Sequence, residues 1–155
     1  MDAVFETEQS IFNYRVAGVW IEGDHVLLHK AVDDDHWALP GGRVKIAEES
    51  ETSIKREMVE ELGIEVKVNH TIWIIENFFN FGSRDYHEIG FYYNISPVDR
   101  SSHLTTDAFY GLEGERLIYQ WVPIEELNNL ILYPVFLTAA LKDIPTHTEH
   151  LVVRQ

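Results

Sequence analysis

Arg56-Glu57-Met58-Val59-Glu60-Glu61-Leu62-Gly63-Ile64, preceded by Gly41-Gly42 and Glu48, is the stretch on which the reading of this chain turns. Ala47, Ile54, Met58 and Leu62 are spaced by seven, four and four residues, which sets them on one stripe of a helix over residues 47–62. Gly63 stands where a helix C-terminal glycine belongs. At about 100° per residue, Glu57, Glu60 and Glu61 fan over roughly 100° beside that stripe. One face of the helix therefore anchors it to a core while three carboxylates project together from the adjoining face.

Like charges brought together repel, and in a partly buried site they need a compensating cation. A hard divalent ion with oxygen ligands, Mg²⁺ above all, supplies that compensation. A solvated acidic face would show the same spacing, but two features weigh toward a site. Arg56 lies four residues before Glu60, within reach to orient a carboxylate. Gly41-Gly42 precede the helix, and without side chains their backbone can come close to a ligand or metal.

Working outward, residues 12–21 are rich in β-branched and aromatic types and read as a strand. Glu22-Gly23-Asp24 supplies a turn, and residues 25–31 return as the second strand of a hairpin. An acidic loop, Asp33-Asp34-Asp35, leads to Trp37-Ala38-Leu39-Pro40-Gly41-Gly42. After the helix, residues 64–76 and 87–95 read as strands around a Gly82-Ser83-Arg84-Asp85 turn. Residues 96–116 read as a long polar loop, followed by a strand over 116–122. Short helices are expected to begin at Pro123, with proline in the first turn, and at Pro134. The interleaving of strands and helices gives a mixed α+β class, in a single domain over residues 1–155.

The composition narrows the function. Twelve Lys and Arg against 26 Asp and Glu leave a formal charge of −14. Such a chain lacks the basic stripe that displaces counterions from a nucleic-acid polymer. A small phosphorylated ligand remains admissible if a divalent cation or local Lys and Arg groups offset the repulsion. The absence of cysteine removes disulfides, thiolate zinc sites and a thiol nucleophile. Met1-Asp2-Ala3-Val4-Phe5-Glu6 lacks the basic-then-apolar pattern of a signal peptide. The most apolar stretch, residues 130–141, is too short to span a bilayer and reads as a buried helix. No membrane association and a cytoplasmic location are the expectation.

At these residues the sequence resembles the Nudix hydrolases. Their box is Gly, five residues, Glu, seven residues, Arg-Glu, an aliphatic residue, any residue, Glu-Glu, any residue, Gly and an aliphatic. Here Gly42, Glu48 and Arg56 to Ile64 match every fixed position, with Met58 as the aliphatic. Trp37 to Gly42 resembles the family's approach to the box, and Trp121-Val122-Pro123-Ile124-Glu125-Glu126-Leu127 its last strand and helix. The resemblance covers nearly the whole chain. It implies the Nudix fold, an α/β/α sandwich around a mixed sheet.

The resemblance also implies hydrolysis of a nucleoside diphosphate linked to another moiety, with Mg²⁺ or Mn²⁺. Glu57, Glu60 and Glu61 would be metal ligands, with the Gly41 carbonyl as a further one. Arg56 and Glu48 would pair to hold the helix and its carboxylates. The general base would be Glu60 or Glu61, or a loop glutamate, for which Glu113 and Glu115 are the candidates. Arg15, Lys30 and Arg43 flank the inferred site as candidate phosphate contacts, and Trp37, Phe79, Phe81 and Tyr110 as candidate stacking groups. His87 and Glu88 begin a strand and could face either way.

Three subfamily markers are missing. No proline lies near Phe78-Phe79-Asn80, no tyrosine in Asn80-Phe81-Gly82, and there is no Pro-rich extension. Those absences weigh against ADP-ribose, dinucleoside polyphosphate and NADH, and leave a nucleoside triphosphate or modified nucleotide as the default. A catalytically silent nucleotide-binding module on the same fold is the alternative. Dimers are common in the family, and the apolar C-terminal helix could serve either core or interface.

Overall fold

The computed structural model describes residues 1–155. In chain order it contains β1 (Val4–Glu6), β2 (Ser10–Glu22), β3 (His25–Ala31), β4 (His36–Trp37), β5 (Gly41–Arg43) and α1 (Ser50–Leu62). There follow β6 (Val66–Phe81), β7 (Arg84–Pro97), β8 (Phe109–Gly111), β9 (Gly114–Pro123) and a 3₁₀ turn (Ile124–Asn129). The chain ends with β10 (Ile131–Leu132), α2 (Leu137–Ala140) and β11 (Glu149–Arg154). No helix is long and apolar enough to cross a membrane.

One mixed sheet runs β11-β6-β7-β2-β3-β9-β8, with β1 and β5 also paired to β2. The β2–β7 and β11–β6 pairs are parallel, and β6–β7, β3–β9 and β8–β9 are antiparallel. Apolar side chains cover both faces. On one, Val16, Trp20, Ile95 and Tyr119 bury Ile54 and Met58 of α1. On the other, Ile72, Trp73, Ile75 and Tyr92 pack against Leu127, Leu132, Leu137 and Leu141. Helical layers thus lie on both faces, as in the Nudix fold.

The site's place follows from a divergence of strands. β2 pairs with β7 from Ser10 to Trp20 but meets β3 only at Ile21 and Glu22. β5 fills part of the opening, pairing Gly41, Gly42 and Arg43 with Ala17, Val16 and Arg15. α1 lies across this region, fixed by its apolar stripe and stopped at Gly63, whose φ of 69° suits a residue without Cβ. The Gly63 amide donates to the Val59 carbonyl at 2.9 Å, closing the last turn.

Several elements differ from the sequence expectation. α1 begins at Ser50 rather than near 47, because Ala47 takes a positive φ of 66° that an α-helix cannot contain. The 130–141 stretch is not a long helix: it forms a two-residue strand, a turn and only four residues of α-helix. Leu137 and Leu141 are nonetheless buried, so its apolar side chains face the core. β6 and β7 extend farther than expected as one continuous hairpin, and β8 interrupts the expected 96–116 loop. β1, β4, β5, β10 and β11 are short and gave no alternating pattern of their own.

Candidate active site

A cleft of about 540 Å³ opens where β2 and β3 part, and the second half of α1 forms one wall. Glu57, Glu60 and Glu61 all line it, and the backbone of Gly41 and Gly42 forms its edge. A Cβ at Gly42 would lie 2.4 Å from the Glu57 carboxyl, so any other residue there would displace that carboxylate. The absence of a side chain therefore admits a carboxylate from within the protein.

Arg56 organises the cluster. Its Nε and Nη2 donate to the two Glu48 carboxylate oxygens at 2.7 and 3.0 Å, a forked pair. Nη1 donates to Glu57 Oε1 and to Glu60 Oε2, both at 3.0 Å. Nη2 also reaches the Arg43 carbonyl at 3.2 Å, tying α1 to β5. Glu48, which accepts from the Lys45 amide as well, is pulled down to about 2 by the guanidinium and stays ionised. Arg56 thus lines the cleft between Glu57 and Glu60, whereas Glu48 holds it from outside the lining.

The three cleft carboxylates differ in burial. Glu60 is the exposed one, its side chain 45% accessible, whereas Glu61 is 3% accessible. Burial pushes the Glu61 carboxyl up to about 8, although the Tyr119 hydroxyl donates to its Oε1 at 3.0 Å. Its Oε2 is buried with no hydrogen-bond partner. Burial also raises Glu57. His29 on β3 sits 3.6 Å from Glu61 Oε1, and burial, helped by the positive Arg15 and Arg116, lowers it to about 4. Glu61 and His29 are therefore held neutral side by side.

These residues suit a divalent cation. An unpaired buried carboxylate oxygen and two carboxyls disfavoured as anions are what an added positive charge would relieve. No three Asp, Glu or His side chains stand together as a ready coordination shell, and Arg56 bridges Glu57 and Glu60.

Of the candidate substrate contacts, Arg15 and Lys30 line the cleft. The Lys30 ammonium donates to the Asp34 carbonyl and lies 5.6 Å from the Trp37 ring centre. The Arg43 side chain does not line the cleft, and Trp37 packs against the core instead of forming a wall. Glu113 reaches the cleft; Glu115 and Tyr110 do not. Arg116, Lys45 and His29 are wall residues that the sequence reading missed. Strand alternation was the available signal, since His29 faces Tyr119 across the β3–β9 pair.

The cleft thus sets the carboxylates of α1 opposite the cations Arg15, Lys30 and Arg116. The NUDIX domain family matches residues 13–139, and the chain belongs to that family, with every fixed residue of its hydrolase box in place. A MutT-like protein of Streptomyces ambofaciens is 36% identical over 72 residues, covering 46% of this chain and 47% of that protein. The chain thus aligns with about half the length of this relative. The solved MutT protein of Bacillus halodurans superposes with a TM-score of 0.63 at 17% identity, covering 90% of each chain. A solved UDP-X diphosphatase gives 0.58 at 19% identity, covering 88% of this chain and 66% of the other. These likenesses show the fold.

Proposed function

We propose that the protein hydrolyses a pyrophosphate bond in a nucleoside diphosphate linked to another group, with Mg²⁺ as cofactor and Mn²⁺ as substitute. The observation that carries this reading is the buried, unpaired Glu61 Oε2 beside Glu57 in a cleft walled by Arg15, Lys30 and Arg116. Glu57, Glu60, Glu61 and the Gly41 carbonyl would hold the ion. When bound, it supplies Lewis-acid polarisation of phosphoryl oxygens and acidifies water.

The chain's own residues account for the rest. Arg15, Lys30 and Arg116 bind the phosphate oxygens and offset the protein's negative charge. Glu60 has the most accessible carboxyl of the three, so Glu60 accepts the proton of the attacking water. Arg56, anchored by Glu48, keeps Glu57 and Glu60 at fixed separation.

The test is product release with Mg²⁺ over nucleoside triphosphates, modified nucleotides, nucleotide sugars, ADP-ribose and dinucleoside polyphosphates. Wild type, Glu57→Gln, Glu60→Gln and Glu113→Gln are compared. Turnover of one class, reduced roughly 10²- to 10⁴-fold in Glu60→Gln but little in Glu113→Gln, supports the reading. Nucleotide binding without turnover of any substrate would overturn it in favour of a silent binding module.

A further inference from the structure

A row of buried polar residues outside the box has no part in the chemistry above. The register sets Asn13 of β2 beside Glu88 of β7, and Glu88 beside Asn77 of β6. All three are buried, with Glu88 8% exposed. A carboxylate at that depth is costly unless partners hold it. Burial pushes Glu88 up, and Arg15 and the Asn13 and Asn77 amides pull it back. Arg15 Nε stands 3.8 Å from Glu88 Oε2, beyond hydrogen-bond distance. The Gln155 side-chain amide donates to Asn77 Oδ1 at 3.1 Å. Asn13 Oδ1 is buried with no partner.

Glu88 and Asn77 form part of the wall of a second cavity, of about 580 Å³, with Phe79, Phe81 and Tyr133 as aromatic walls. Arg15, His36 and Ala38 line this cavity and the carboxylate cleft alike, so a single ligand can extend from one into the other. Its phosphates would lie on the Arg15 side. What enters the second cavity meets aromatic faces and a buried carboxylate, which repels phosphate and attracts N–H donors.

We propose that this cavity receives the base of the substrate, and that Glu88 selects a base edge with two adjacent N–H donors, the edge guanine presents. Two carboxylate oxygens are paired acceptors and match paired donors in one plane. The Watson–Crick edges of adenine, cytosine and uracil place an acceptor next to each donor, and that acceptor would face the carboxylate lone pairs. Hypoxanthine keeps one donor and lacks the other. The aromatic walls hold any base by its face, leaving discrimination to the edge. This assignment rests on the pyrophosphohydrolase reading of the adjoining cleft.

The experiment measures kcat/KM of the full chain with Mg²⁺ for GTP, ITP, ATP, CTP and UTP, and binding of the same nucleotides by calorimetry. GTP is expected to exceed ITP roughly tenfold to a hundredfold, the range for one good bidentate contact. Glu88→Gln, whose amide offers one acceptor and one donor, is expected to collapse the GTP-to-ITP ratio and raise ATP relative to GTP. A merely structural role for Glu88 would change thermal stability and all nucleotides together, and that result overturns the proposal. Equal wild-type rates and affinities for GTP and ITP also overturn it, whether or not the variant folds. If GTP binds in preference and Glu88→Gln removes the preference, yet no nucleotide is cleaved, the base assignment stands and the hydrolase reading falls. Turnover without base preference has the opposite meaning.

Discussion

The carboxylate cleft and the aromatic cavity are of similar volume and share Arg15, yet they are held open by opposite means. At the cleft, one guanidinium bonds Glu57 and Glu60 of the lining and is itself anchored by Glu48. In the cavity, rigid rings and a long β6–β7 hairpin form the walls, and Phe79 stacks on Tyr86 at 5.0 Å. The first is an electrostatic assembly that depends on each charge; the second is a packed surface that tolerates loss of a ring. Charge removal should therefore damage the cleft more than truncation damages the cavity.

The largest effect is expected from Arg56→Ala, which leaves Glu48 and Glu57 facing each other in half-buried surroundings. The loss should be about 2–4 kcal/mol, since removing one partner of a buried pair strands the others. Arg56→Lys should recover little, because a point charge cannot make the forked bond to Glu48 and also bridge to Glu57 and Glu60. Phe79→Leu, in the cavity, should cost less than about 1.5 kcal/mol, because Phe79 is only partly buried and an apolar side chain remains. Urea unfolding of the three variants gives the comparison. Equal losses at Arg56 and Phe79 would remove the distinction between the two regions.

The second effect is pH-dependent and centres on Glu61 of the cleft. Glu61 holds its proton up to about 8 in the folded protein and releases it near 4.5 when unfolded. Between those values the native state binds more protons than the unfolded one, so stability falls as pH rises. His29, lowered from 6.5 to about 4, acts in the opposite sense but only below 6.5. From pH 6.5 to 8 the Glu61 slope should therefore stand clear, with a loss of up to about 2 kcal/mol in metal-free protein. Glu61→Gln should flatten it, and saturating Mg²⁺ should do the same. A metal-free protein with constant melting temperature over that range would show that Glu61 is not held neutral.

The two regions also differ in how far they could be read without coordinates. The cleft's acidic wall comes from one helix, so a spacing of three and four residues carried its geometry: Ile54 and Met58 are fully buried, and Glu57, Glu60 and Glu61 all reach the cleft. Its opposite wall was only half legible. Lys30 and Arg15 stood out as cations, but Arg116 enters through the pairing of β9 with β3 and Lys45 through an isolated bridge to Asp2, which no local pattern encodes. The cavity was scarcely legible. Asn13 lies far in sequence from the β6–β7 hairpin that carries Asn77 and Glu88, and the three become neighbours only through register. A one-residue slip of β7 would turn Glu88 to the other face. The same limit explains the short elements: β4 and β10 are two residues each and exist only by pairing with one another.

The smallest effect separates a hydrogen bond from a charge. Tyr119 donates to Glu61 Oε1, and its ring packs at 5.4 Å from His29. At pH 6 the acceptor is a neutral carboxylic acid, so Tyr119→Phe should cost about 1 kcal/mol, the ordinary net worth of such a bond. Above pH 8 the acceptor is a carboxylate, and the same substitution should cost about 2 kcal/mol, in the range of bonds to charged groups. The difference grows with pH because the hydroxyl stabilises the ionised form, so removing it raises Glu61 further and steepens the slope between pH 6.5 and 8. Melting temperatures of wild type and Tyr119→Phe, measured without metal at pH 6 and pH 9, decide the matter. A cost that is the same at both pH values would mean that the Glu61 carboxyl does not change its protonation between them.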